Sequence, residues 1–398
     1  MLSVHSCPLG KLGGVDTGGM SVYIVELARE LGTRGHLVDV YTRAHGLGHE
    51  AIVALDKNVR LIHLKAGQED EIDKLAIYPH LAEFACEVED FRQSCGLRYD
   101  LVHSHYWLSG WVGRWLHEWW KVPHVTMMHT LGAVKNAVGT DASEPALRID
   151  CEGQVTADCQ RVIVATGKEK KDLISHYGVS PETVAVIPCG VNLDLFRPIN
   201  SEIARRHLGF DGQRIVLFVG RIVPVKGIDK LLMAMSYLEN NRNKLVVIGG
   251  DERSQAEMGR LKSLSRSLEL DHAVVFLGLI NQGRLPYYYS AADVCVIPSY
   301  YETFGLVALE SMACGTPVVA TRVGGMDSVI RQGETGYVVD DNAPHHLAEK
   351  IDQLLGVPRR KDIDSIRAAV TGFSWSHVAT AMSAEYQAVV SDYQTQIR

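Results

Sequence analysis

The feature that most constrains this chain is a repeating alternation. Short apolar runs of strand length alternate with amphipathic helical runs almost from end to end. Parallel strands need a crossover between them, usually a helix, so the alternation is the signature of parallel α/β sheets. In the first half, a glycine-rich loop from Gly13 to Gly19 leads into a helix. Its Ile24, Leu27, Ala28 and Leu31 fall at i, i+3, i+4 and i+7, one buried stripe. Gly35 ends that helix, and Leu37 to Tyr41 continues as a strand. Further strands are predicted at Val59–Leu64, Asp100–His103, His124–Met128, Arg161–Ala165 and Val184–Ile187. The pattern restarts at Arg214 with a strand over Ile215–Val219 and a helix marked by Ile228, Leu231, Leu232 and Met235. Strands follow at Leu245–Ile248, Val274–Leu277, Val294–Ile297 and Val318–Ala320. Leu2-Ser3-Val4 reads as the end of a first buried strand, which is either short or preceded by a start codon assigned late.

The 398 residues suggest two domains at about 100–200 residues each. Asn192–Glu202, with Pro198 and few packing residues, reads as the linker. The expected division is an N-terminal domain over 1–194 and a C-terminal domain over 195–373. A last helix, about 374–398, is assigned back to the first by analogy with two-lobed folds. A 46% hydrophobic share is enough for full cores. The net charge of −7 argues against a non-specific nucleic-acid binder or a protein held on an anionic membrane. No apolar run reaches the roughly 18 residues of a membrane span. The N-terminus lacks the basic-then-apolar pattern of a secretory signal. None of the eight cysteines forms a C-x2-C unit, and reduced core thiols in a cytoplasmic protein are the expectation.

Three elements carry chemistry. In Asp16-Thr17-Gly18-Gly19-Met20, a glycine pair opens a helix and presents free backbone N–H groups to an anion. It is neither a dinucleotide fingerprint nor a P-loop. Next, Gly220-Arg221-Ile222-Val223-Pro224-Val225-Lys226-Gly227 follows a buried strand. Ligands of open α/β sheets sit at such strand ends. Arg221 and Lys226, five residues apart, suit a diphosphate leaving group whose charge must be neutralised where no metal-ligand set is evident. Third, Glu302 and Glu310 lie eight positions apart across Phe304-Gly305-Leu306. Carboxylates there could accept from a ribose diol or sugar hydroxyls, and the backbone N–H groups of Phe304, Gly305 and Leu306 could face the same phosphates.

These elements resemble the family-4 retaining glycosyltransferases, and the similarity covers nearly the whole chain. The resemblance implies a GT-B architecture, two Rossmann-like parallel-sheet domains facing a central cleft that closes around its ligands. It implies Glu310 on the donor ribose, Glu302 on the donor sugar, Arg221 and Lys226 on the diphosphate, and Gly18 and Gly19 near the phosphate from the other lobe. The implied substrate is a nucleotide-diphosphate sugar, with UDP the expected carrier. Front-face substitution with retention requires no further cofactor and no protein nucleophile.

A narrower resemblance rests on Ser104-His105-Tyr106-Trp107-Leu108-Ser109-Gly110 and His129-Thr130-Leu131-Gly132-Ala133-Val134-Lys135-Asn136. These look like the mycothiol-pathway enzymes that move N-acetylglucosamine from UDP onto inositol 1-phosphate. Sucrose-phosphate synthases share a related layout. The resemblance implies an acceptor-phosphate site of Lys74, Tyr106, Thr130 and Arg148, and a contact of His129 with the donor sugar. Two cations and two hydroxyls would enclose a phosphate dianion. Ser21 departs from the asparagine of those enzymes beside the acceptor ring. Phe276-Leu277-Gly278-Leu279-Ile280 departs near the base, where backbone contact by Ile280 would still accommodate uracil. The alternatives are transfer to a sugar phosphate, or a lipid glycosyltransferase, which would need a basic amphipathic patch that the sequence does not display. A nucleotide-sugar sensor and a dehydrogenase fit less well.

Other features read as structural. His103-Ser104-His105 is read as placing its imidazoles on opposite faces of a strand, against a metal pair. His345-His346 reads as surface, and Lys168-Glu169-Lys170-Lys171 as a solvated helix face. Trp107, Trp111, Trp115 and Trp119 read as a core stripe, with a homodimer interface as the alternative.

Overall fold

Parallel strands joined by helices build both halves of the chain. The computed structural model describes residues 1–10, 18–45, 50–68, 72–139, 143–238, 242–356 and 363–397. Gly13 to Thr17 of the glycine-rich loop, including Asp16, lie outside the described residues. Two units are distinct: Met1–Gly10, Gly19–Pro188 and Trp375–Arg398 form the first, and Cys189–Ser374, with Gly18, belongs to the second.

In the first unit the strands are β1 (Val38–Arg43), β2 (Ile52–Asp56), β3 (Val59–Leu64), β4 (Val102–His105), β5 (His124–Met127), β6 (Arg161–Val164) and β7 (Val184–Val186). They form two rows, β1-β3-β2 and β4-β5-β6-β7. Leu2 bridges the rows, pairing in parallel with Tyr41 of β1 and Ser104 of β4. The first strand is therefore one bridge long, and the chain winds outward from it on both sides. β2 is the exception to the parallel rule, running antiparallel to β3. The stripe of Ile24, Leu27, Ala28 and Leu31 is buried on the helix Gly19–Thr33. The helix Trp375–Ile397 docks on this unit. Tyr386 Oη pairs with His103 Nδ1 at 2.6 Å, Glu385 with Arg161 at 3.2 Å, and the Ser376 carbonyl accepts from Arg34 at 2.7 Å.

The second unit holds one six-stranded parallel sheet in the order β10-β9-β8-β11-β12-β13. Its strands are β8 (Arg214–Val219), β9 (Asn243–Ile248), β10 (Val274–Gly278), β11 (Val294–Ile297), β12 (Val318–Thr321) and β13 (Gly336–Val339). Val216, Phe218, Leu231, Leu232, Leu245 and Val247 share its core. Strand order reverses between β8 and β11, so the loops leaving those two strands diverge around a crevice, the usual ligand position in such sheets. Part of the stretch read as a linker packs within this unit. Phe196 is buried, and Arg367 donates to the carbonyls of Leu193 and Phe196 at 2.9 and 2.7 Å.

All eight cysteines are free thiols, and Cys189, Cys295 and Cys314 are buried. No helix among the described residues is long and apolar enough to cross a membrane. The tryptophan stripe turns outward along the helix Trp107–Trp120. Four residues advance a helix about 400°, or 40° past a full turn, so Trp107 is buried while Trp119 is 46% exposed.

Candidate active site

The loops leaving β8 and β11 are locked together in the second unit. Tyr300 N donates to the Val225 carbonyl at 2.9 Å. Asn342 Nδ2 donates to the Pro298 carbonyl at 3.2 Å. Gly227, at φ 65°, ends the short turn Pro224–Lys226, and a Cβ there would lie 2.1 Å from the Pro298 oxygen. Only glycine allows this approach.

The clamp brings Lys226 to Glu302. Their side chains form a partly buried ion pair, and Ser299 Oγ donates to the same Glu302 oxygen at 3.1 Å. Gly324, on the loop after β12, sits where a Cβ would meet the Glu302 and Thr303 carbonyls at 2.6 Å. Gly305, at φ 96°, precedes the helix Leu306–Ala313, with Phe304 buried before it and Leu306 partly exposed at its first position. Glu310, inside that helix, is buried and accepts from Tyr289 Oη at 2.7 Å. Burial raises its carboxyl to about 7, and the tyrosine bond opposes this only in part.

Arg221 is half-buried just past β8, and a Cβ built on Gly18 would lie 3.9 Å from its Cδ. Ile280 is half-buried past β10, which is two strands from β8. It lies at the edge of this constellation and not within the Lys226–Glu302 pair.

The first unit gathers a second constellation where β4 and β5 end. Arg148, on the helix Ala146–Asp158, is 2% exposed and donates from Nη2 to Thr130 Oγ1 and to the Thr130 carbonyl, both at 2.9 Å. Its Cζ lies 4.9 Å from the centroid of the Tyr106 ring, and Lys74 Nζ lies 6.0 Å from the same centroid. The four residues expected to bind a phosphate are thus neighbours. Tyr106 is held at φ 76° and packs in a tilted arrangement against His5, at 4.3 Å between ring centroids.

Carboxylates hold Arg148 in place. Nε donates to Glu152 at 2.7 Å, and Nη1 pairs with Glu144 at 2.8 Å. Burial works against the guanidinium charge, but Tyr106, Glu152 and Glu144 outweigh it and keep the pKa above its ordinary value. Glu144 also pairs with Lys135, and Asn136 clasps the Glu144 backbone through bonds of 2.6 and 3.1 Å. Glu144 and Glu152 escaped the sequence reading, although both stand four residues from Arg148: Glu152 one turn along the same helix, the spacing that puts side chains on one face, and Glu144 just ahead of the helix start. Tyr289, Ser299 and His5 left no such local signal.

Ser21 is buried on the helix Gly19–Thr33, its hydroxyl 3.4 Å from that of Ser6. Gly19 opens the same helix. His129 follows β5 at φ 59°, and burial drives its imidazole down to about 3. Its Nε2 lies 3.0 Å from His105 Nδ1.

Here the sequence expectation needs correcting. His103 and His105 share a face, with ring centroids 4.2 Å apart. Strand side chains repeat every two residues, so i and i+2 point the same way. Pairing of Val102 with His124 and of His105 with Met127 sets β4 two residues later than expected and carries His105 to the strand's end. No group of three or more His, Cys, Asp or Glu suited to a metal occurs among the described residues.

Two parallel α/β units, one with an ion-paired loop clamp at its switch point, define the class: a GT-B glycosyltransferase. Comparison with known proteins agrees. The model described as Glycosyltransferase Family 4 matches residues 17–195, and that described as Glycosyl transferases group 1 matches residues 200–366. The chain is 39% identical to the D-inositol 3-phosphate glycosyltransferase of Corynebacterium diphtheriae over 398 residues, 97% of this chain and 93% of that one. It is 41% identical to the enzyme of the same name from Thermomonospora curvata over 379 residues, 91% of this chain and 88% of that one. Among solved structures, a sucrose-phosphate synthase from Thermosynechococcus elongatus matches with a TM-score of 0.91 at 34% identity, covering 98% of each chain. Anabaena Alr3699/HepE, in complex with UDP and glucose, shares the fold at a TM-score of 0.76 and 19% identity, covering 95% of this chain and 99% of that one. This chain belongs to the glycosyltransferase family that contains the D-inositol 3-phosphate glycosyltransferases.

Proposed function

We propose that the chain transfers a hexosyl unit, N-acetylglucosamine or glucose, from a UDP-sugar to a small phosphorylated acceptor such as inositol 1-phosphate, with retention of configuration. The observation that carries this reading is the gathering of Lys74, Tyr106, Thr130 and Arg148 around one ring and one hydroxyl. Such a set answers a phosphate dianion with two cations and two hydroxyl donors. The names of the Corynebacterium and Thermomonospora relatives support the acceptor class.

In this reading Arg221 and Lys226 neutralise the diphosphate, and Glu310 accepts from the ribose hydroxyls. Glu302 accepts from the sugar. An ammonium has three donors, so Lys226 can keep its bond to Glu302 while it meets a phosphate oxygen. Backbone N–H groups of Gly18, Gly19, Phe304, Gly305 and Leu306 add positive potential. Ile280 meets the base through its backbone, and His129 meets the donor sugar. The acceptor hydroxyl attacks the anomeric carbon on the face that the diphosphate leaves. The bond from that carbon to the diphosphate oxygen breaks as the glycosidic bond forms, and the hydroxyl proton passes to the departing phosphate. Fixed cations stabilise the charge that develops there.

One observation favours a second acceptor. Ser21 points toward Ser6 instead of offering the amide that the resemblance places beside inositol, and the sucrose-phosphate synthase superposes closely. A sugar phosphate is the alternative.

Mass spectrometry of products from UDP-N-acetylglucosamine or UDP-glucose, with inositol 1-phosphate, fructose 6-phosphate or no acceptor, tests the reading. A glycosyl-inositol phosphate is the expected product. A disaccharide phosphate alone would transfer the assignment to the second acceptor. No product from either acceptor would contradict both.

A further inference from the structure

The mechanism leaves unused a buried aromatic cluster behind His129. His103 and His105 are both almost wholly buried, and their rings lie against each other. His103 is tied to Tyr386 of the C-terminal helix through the 2.6 Å bond. Tyr23 stands edge-on to His105, to His129 and to Trp375, with centroids 5.8, 5.3 and 5.4 Å away. This packing fixes the plane of the His105 ring. A polar bond links the cluster to His129, the 3.0 Å bond between His105 Nδ1 and His129 Nε2.

Burial holds both imidazoles neutral, and for His105 its two histidine neighbours add to the effect. The bond between them therefore has a single proton, in one of two arrangements. If His129 Nε2–H donates, His105 must carry its own proton on Nε2. That atom is buried and has no partner among the described residues. If His105 Nδ1–H donates, His105 Nε2 is only an unshared lone pair. A buried N–H without an acceptor is the costlier and rarer orphan. The second arrangement is favoured, and it dictates the tautomer of the neighbouring ring. His129 accepts at Nε2 and carries its proton on Nδ1.

We propose that His105 is a positioning residue that holds His129 as the Nδ1–H tautomer, so that His129 meets the donor sugar as a hydrogen-bond donor. The second half of this statement rests on the reading of His129 given under the proposed function; the first half does not. The positive φ of His129 and the edge of Tyr23 fix where the ring stands. The bond from His105 fixes which nitrogen bears the proton. A sugar oxygen would then find a donor in place, with no tautomer exchange needed before binding.

The test is histidine nitrogen NMR on the full-length, ligand-free protein labelled with 15N-histidine, the His129 signals being assigned by their loss in H129Q. A pyrrole-type shift at Nδ1 and a pyridine-type shift at Nε2 are expected. In His105→Leu the two tautomers should mix, and kcat should fall about tenfold with donor KM little changed, the effect of one misaligned hydrogen bond. His105→Asn, whose amide nitrogen can take the place of Nδ1, should keep the tautomer and recover kcat to within about threefold. It also serves if the leucine variant does not fold. Protonation of His129 at Nε2 in the unaltered protein would overturn the proposal. So would an unchanged tautomer and unchanged kcat in His105→Leu. If no donor is turned over but the shifts are as expected, the functional reading fails while the tautomer assignment stands.

Discussion

Lys226 reaches Glu302 because a glycine behind it permits the turn, and the pair places one positive and one negative group side by side at the switch point. The proposed work of Lys226 is on the leaving phosphate, where charge develops. Lys226→Ala should therefore lower kcat by about 10²-fold or more while leaving acceptor KM nearly unchanged, as loss of an oxyanion donor does. Steady-state kinetics checks this, and a near-normal kcat would remove Lys226 from that role. Glu310 gives a pH test. Its carboxyl titrates at about 7 in the ligand-free protein because of burial. Hydroxyls donating from a ribose favour the ionised form, so its pKa falls when donor binds. Affinity for UDP should then rise as pH climbs toward 7, by at most about tenfold per pH unit, and level off above it. Near neutrality binding should release a proton, seen as buffer-dependent heats in calorimetry and abolished in Glu310→Gln. Buffer-independent heats in the unaltered protein would contradict the assignment. At this scale the sequence showed what lies close along the chain: Arg221 with Lys226, and Glu302 with Glu310. Tyr289, which bonds Glu310 from 21 residues away, left no trace in local spacing. Glu144 and Glu152 left one in their four-residue offsets from Arg148.

Among the elements, strands β8 to β12 and the helix Gly19–Thr33 were readable because buried parallel strands and amphipathic helices have strong periods. β2 was not. Its residues alternate between exposed and half-buried, and its antiparallel pairing depends on the short turn at Lys57-Asn58. The later start of β4 came from pairing with β5, a tertiary constraint that also decided the face of His105. Turn chemistry makes a prediction here. Gly227 and Gly209 both adopt positive φ, but only Gly227 faces backbone within van der Waals distance. Gly209→Ala should destabilise by about 1 kcal/mol through left-handed strain alone. Gly227→Ala must also move the loop from the Pro298 carbonyl. It should lower stability by at least the upper part of the roughly 1–3 kcal/mol range for local strain, and should reduce turnover with it. Denaturant unfolding of both variants checks the difference, and equal losses would deny the clamp between the two loops.

For the molecule as a whole, the alternation along the chain implied two α/β units, and the restart at Arg214 marked the second. The discontinuous first unit was beyond local reading. Trp375–Ile397 joins it through Tyr386 and Glu385, whose partners His103 and Arg161 lie more than 200 residues earlier. In the proposed function the first unit recognises the acceptor and the second the donor. Arg148 is a poor probe of the former, because removing it would strand Glu152 with no solvent access, and loss of one partner from such a pair typically costs about 3–5 kcal/mol. Lys74, which is partly exposed, is the gentler probe. The most direct measurement is therefore the ratio of kcat/KM for inositol 1-phosphate to that for unphosphorylated inositol, in the unaltered protein and in Lys74→Met. A phosphate site predicts a preference of about 10²-fold or more in the former, from charge-assisted bonds of about 1.5–3 kcal/mol each. It predicts a preference cut by about tenfold or more in the variant, with activity on inositol unchanged. Equal use of the two acceptors, or a preference indifferent to Lys74, would contradict the account.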